Sequence, residues 1–99
     1  MTFTCEVCGE PTQPMMLVGE YSANLCVRHL NEWTEFVRAT EVYRQWLQLM
    51  AKRDTYLYGG QPALAQEATL LALGVSLVLY KMAGEWIAEA KQEWAEATP

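Results

Sequence analysis

The chain has 99 residues, 52% of them hydrophobic with four tryptophans and five tyrosines, and its seven basic against twelve acidic residues give a net charge of −5. This is too apolar and aromatic for intrinsic disorder, and too acidic for a default binder of phosphate backbones. A unit of 11.2 kDa buries only about 60% of the surface its unfolded chain exposes, so a staple, a partner copy or both are expected to stabilise it.

The opening Met1-Thr2-Phe3-Thr4-Cys5 has neither a basic n-region nor an apolar h-region, so no secretory signal is expected. Three cysteines, Cys5, Cys8 and Cys26, leave one thiol over after any single disulfide, which suits a reducing, cytoplasmic location. Their spacing carries the strongest local signal. Cys5-x2-Cys8-Gly9 is followed by 17 residues, Gly9 to Leu25, and then by Cys26-x2-His29. A two-residue spacer lets consecutive ligands fold over one ion, and zinc takes four tetrahedral sulfur or imidazole ligands. Gly9 supplies the permissive φ that a turn around a metal needs. Between the pairs, Met15-Met16-Leu17-Val18, a turn at Gly19-Glu20, and Tyr21-Ser22-Ala23 predict a short β-hairpin. Asn24 falls where a helix N-cap is expected, which places Cys26 and His29 in the first turns on one face.

The order of knuckle, hairpin and helix start over Phe3 to Leu30 resembles a treble-clef zinc finger, with Cys5 and Cys8 as the knuckle pair and Cys26 and His29 as the helix pair. The resemblance implies one structural zinc ion per chain. Its functions span nucleic-acid binding, protein binding and catalysis, so it carries none of them across. The four ligands fill the tetrahedron, whereas a catalytic zinc keeps a position open for water. Glu32 follows His29 by three residues rather than the two of the deaminase pattern, and no Pro-Cys-x2-Cys run is present.

From Cys26 to Tyr56 there is no proline or glycine, and Leu30, Trp33, Val37, Tyr43, Leu47 and Met50 keep three- and four-residue steps with one polar interruption at Thr40. One helix over residues 25–57 is expected, spanning ~45 Å. A second stripe of Val42, Trp46 and Leu49 lies off its main face. Tyr58-Gly59-Gly60-Gln61 is the break, residues 58–61, with glycine suited to an αL cap and Pro62 to a first helical position.

A second helix is expected over residues 62–96, antiparallel to the first. It holds 13 uncharged residues from Ala68 to Tyr80. At ~100° per residue, Leu64, Leu71, Val75, Val78, Met82 and Trp86 share one side, while Leu70, Leu73 and Leu77 fall nearly opposite. One partner helix cannot bury both, so Leu70, Leu73, Leu77, Val75, Val78, Met82 and Trp86 are expected at an interface with another copy or another protein. Ala72, Gly74 and Ser76 interleave with them and would admit a close helix. A membrane span is not expected: 13 residues rise ~20 Å against ~30 Å of hydrocarbon, with Gln66, Glu67, Lys81 and Glu85 at the flanks. Glu85, Glu89, Glu93 and Glu96 then form an acidic stripe beside Trp86 and Trp94, either a patch for a basic partner or a solubilising end.

The fold class expected is mainly α: a treble-clef-like zinc lobe over residues 1–30, then a long two-helix hairpin completed as a bundle by oligomerisation, within one domain overall. No phosphate loop, nucleophile elbow or second histidine is present, so no enzyme is expected. The leading function is a zinc-stabilised protein-interaction or adaptor module that self-associates as a dimer or higher oligomer. The alternative is a small regulator or inhibitor, of phage or mobile-element type, acting on a nucleic-acid-handling enzyme through its acidic and aromatic surface. Weak nucleic-acid binding through Arg28, Arg38, Arg44, Lys52 and Arg53 is not favoured, because Glu32, Glu35, Glu41 and Asp54 are mixed among them.

Overall fold

The Cys5-to-Glu10 knuckle is the tip of a hairpin whose strands are β1 (Phe3–Thr4) and β2 (Pro11–Thr12) in the computed structural model, which describes residues 3–97. Gly9 takes φ +78° at this tip, the left-handed conformation that lets the chain turn under Cys8. A second antiparallel hairpin pairs β3 (Pro14–Val18) with β4 (Tyr21–Asn24), with a bulge between Met16 and Val18. Its turn is the expected Gly19-Glu20. The chain then becomes helical in α1 (Val27–Arg38), α2 (Glu41–Tyr58) and α3 (Pro62–Ala97).

Two local expectations are corrected. Asn24 does not cap α1: it ends β4, where its N–H donates to Glu6 Oε2 at 3.0 Å and its carbonyl accepts from Glu6 N at 2.8 Å. Cys26 occupies the cap position instead, extended at ψ 165° and with no side-chain capping bond. The single helix expected over residues 25–57 is two. Thr40 is extended at φ −86°, ψ 146°, and its hydroxyl oxygen accepts from Tyr43 N at 3.2 Å. A threonine cap thus restarts the helix, and the same hydroxyl donates to the Val37 carbonyl of α1. This break leaves α1 packed on β3 while α2 runs back along α3.

The α2–α3 joint is a Schellman turn. Gly60, at φ +71°, donates to Leu57 O at 3.2 Å, and Gln61 donates to Tyr56 O at 2.8 Å. Pro62 opens α3 as expected.

The core lies where α1, the hairpin and the middle of α3 meet. Leu25, Trp33 and Leu79 are its largest fully buried side chains. The Trp33 indole donates to Leu17 O at 3.3 Å, and its ring meets Trp86 edge-on at 5.7 Å between centroids. Tyr80 ties the hairpin to α3: its hydroxyl accepts from Glu20 N at 3.2 Å and its ring stacks on Tyr21 at 5.7 Å. A Cβ on Gly19 would stand 2.7 Å from that hydroxyl, so the turn approaches α3 as closely as glycine allows.

Away from this core the molecule is a two-helix arm. It measures 57 × 30 × 17 Å with a radius of gyration of 16.3 Å, against about 13 Å for a compact chain of this length. α3 packs inward through Ala65, Ala68, Ala72, Ser76, Leu79, Ala83 and Ile87. Neither leucine-rich side expected from the sequence is therefore its intrachain face. The small side chains admit the half-buried Val42, Tyr43 and Trp46 of α2, and α2 itself has no fully buried residue. Among the described residues, α3 alone is long and apolar enough to cross a membrane by length and composition; its most apolar stretch has mean hydropathy 1.6 and is 28% buried within the chain. The core helix of a soluble protein passes the same test.

Candidate metal centre

The knuckle and the first turn of α1 bring Cys5, Cys8, Cys26 and His29 together, with all four donor atoms within 4.8 Å of one another. Cys8 Sγ is 3.9 Å from Cys26 Sγ; His29 Nδ1 is 3.6 Å from Cys5 Sγ and 3.2 Å from Cys26 Sγ. Tetrahedral zinc with Zn–S near 2.3 Å and Zn–N near 2.0 Å requires sulfurs about 3.8 Å apart and sulfur to nitrogen about 3.5 Å. The three distances given lie within about 0.3 Å of those values, so the cluster is compatible with a tetrahedral zinc site.

Local structure fixes each donor. Cys5 N donates to Glu10 O at 2.7 Å and Gly9 N to Cys5 O at 2.9 Å, closing the knuckle. Glu6 clasps Asn24 across to the second hairpin, and Thr12 Oγ1 donates to Leu25 O at 2.8 Å. Cys26 and His29 follow from their three-residue separation at the start of α1. His29 faces the sulfurs through Nδ1, and Glu32 Oε2 lies 4.0 Å from its Nε2. A carboxylate on the far side of a ligating imidazole is the usual outer-sphere support for its orientation.

Burial opposes ionisation of Cys5, but backbone N–H groups of Cys26, Cys8 and Val7 outweigh it and bring that thiol from 9.0 down to about 6. Cys8 moves the other way, to about 11, through burial and through the adjoining Cys5 and Cys26 sulfurs, against one favourable bond from Glu10. One thiolate is thus accepted and a second is resisted. A divalent ion among the sulfurs removes that conflict.

The sequence reading set Trp94 beside the acidic stripe; in the structure its ring meets His29 edge-on at 5.5 Å between centroids. The Arg28 guanidinium sits 5.4 Å from the same ring. The far end of α3 therefore roofs the cluster. The signal was present, since Trp94 continues the inward stripe of Ala83 and Ile87 at steps of four and seven.

The other predicted site residues divide. Leu70, Leu73, Leu77 and Val78 are exposed, from 49% at Val78 to 67% at Leu77. Val75, Met82 and Trp86 are half-buried and pack against the core, so they complete the fold as well as edging any outer surface. Glu85, Glu89, Glu93 and Glu96 are all exposed. Glu89 and Glu93 share a shallow groove with Trp86, Ala90 and Glu32 of α1, which adds a fifth acid to the stripe. No protein-family model, curated protein or solved structure matches the chain.

Proposed function

We propose that this chain is a non-enzymatic, zinc-stabilised protein-interaction module of the cytoplasm that self-associates through its helical arm. The observation that carries the reading is the inversion on α3: its small side chains face inward and Leu70, Leu71, Leu73 and Leu77, each more than half exposed, face out. Zinc held by Cys5, Cys8, Cys26 and His29, in the manner of a treble-clef finger, supplies a four-way crosslink between the knuckle and α1. Four protein donors leave no position for water, which favours a structural over a catalytic ion. Nucleic acid is disfavoured by the net charge of −5 and by the acids interspersed among the basic residues. Arg28, Arg44 and Arg53 lie 3.4, 3.4 and 2.9 Å from Glu32, Glu41 and Asp54.

Light scattering of the zinc-loaded protein tests this reading. A molar mass at least twice 11.2 kDa is expected at micromolar concentration, reduced towards the monomer by Leu77→Glu. A wild-type monomer across the whole range overturns self-association. A second reading, a regulator or inhibitor for a basic site on a nucleic-acid-handling enzyme, draws on the groove where Glu32 joins Glu89 and Glu93 beside Trp86.

A further inference from the structure

The outward face of α3 is symmetric about one residue. Reading away from Gly74 in both directions, Leu71 and Leu77 stand three residues off, Leu70 and Val78 four, and Glu67 and Lys81 seven. All seven positions are exposed. At ~100° per residue they fall within about 60° of Gly74, where the edges of the two leucine stripes meet, opposite the stripe through Ala72 and Ser76 that packs within the chain. Gly74 is open at the centre, since a Cβ built on it would meet nothing within 4 Å.

From this juxtaposition we infer that α3 pairs with α3 of a second copy, antiparallel, about a two-fold axis passing Gly74. The inference rests on the self-association proposed above and specifies its geometry. Antiparallel pairing about that axis sets Leu71 against the partner's Leu77 and Leu70 against the partner's Val78. It also sets Glu67 opposite the partner's Lys81 twice over, about 10 Å either side of the axis. A parallel pair would oppose Glu67 to Glu67 and Lys81 to Lys81, which is repulsive at both ends. Gly74 lets the two backbones approach where they cross. Lys81 also has Glu85 at 4.0 Å on its own helix, an exposed contact that water weakens. An isologous interface of this kind is the commonest way a small chain buries a face it cannot cover alone.

Charge exchange in the full-length, zinc-loaded protein tests the geometry by sedimentation equilibrium. Glu67→Lys and Lys81→Glu should each weaken the dimer at least about tenfold, because each replaces two attractive contacts with two repulsive ones. The double exchange should return the dissociation constant to within about threefold of wild type. Gly74→Leu should make the helix more stable and yet weaken the dimer, a combination that damage to the fold does not produce. A dimer indifferent to the single exchanges, or one not restored by the double exchange, overturns the antiparallel axis and leaves self-association standing. A wild-type monomer in solution overturns both. A monomer that floats with phosphatidylcholine vesicles assigns the face to lipid and equally overturns the pairing.

Discussion

Cys26→Ala is expected to strip zinc from the protein and unfold the N-terminal lobe, and a strong chelator added to wild type should do the same. The two hairpins have strands of two to five residues, and isolated two-stranded hairpins are marginal at best in water. The lobe's own buried apolar side chains are few, with Val7, Val18 and Leu25 the principal ones besides the cysteines. Structural zinc contributes on the order of 10 kcal/mol in finger-sized units, as much as the whole stability of a typical domain. Losing one ligand also leaves the crowded Cys5 and Cys8 sulfurs without the cation that reconciles them. Loss of near-ultraviolet dichroism, with most helical signal from α2 and α3 retained, is the expected readout. A Cys26→Ala protein that stays folded and holds one zinc per chain would remove the site from the account.

Trp33→Ala should cost about 3–5 kcal/mol, the usual range for deleting a large, wholly buried ring. Trp33 has 0% exposure and stands between α1, the hairpin and α3, through the Leu17 carbonyl and Trp86. Its removal opens a cavity at the junction of the lobe and the arm, beside Trp86 and the fully buried Leu79. Phe36, one turn further along α1 and 45% exposed, provides the control; Phe36→Ala should cost about 1 kcal/mol or less. Urea denaturation monitored by circular dichroism measures both. A Trp33→Ala loss no larger than that of Phe36→Ala would contradict the packing described.

What the sequence makes legible is local. The ligand set follows from two short spacings, the hairpin from an apolar run ending in Gly19-Glu20, and the helical joint from Gly59-Gly60 before Pro62. Each needs only a few neighbouring residues to be decided. The break at Thr40 is less visible, because the apolar periodicity continues across it and neither proline nor glycine marks it; only a threonine before Glu41 hints at a cap. The inward face of α3 is hidden for another reason. Hydrophobicity favours leucine over alanine, so a face argument selects the leucines, whereas close approach of α2 with its bulky Trp46 and Tyr43 selects the alanines. Trp94 over His29 depends on how far α3 runs past the lobe, which is a matter of tertiary geometry.

The acidic stripe gains meaning from the same geometry. Glu32 both stands behind His29 and shares a groove with Glu89 and Glu93, so the end of α3 that roofs the metal cluster also concentrates negative charge beside it.

The central claim is that three sulfurs and one nitrogen close a structural zinc site that holds the lobe together. X-ray absorption at the zinc edge of the purified protein tests it most directly. The account predicts one zinc per chain with three sulfurs at about 2.3 Å, one nitrogen at about 2.0 Å and no oxygen neighbour. A folded protein without zinc, or a first shell containing a water oxygen in place of one of these four donors, would contradict it.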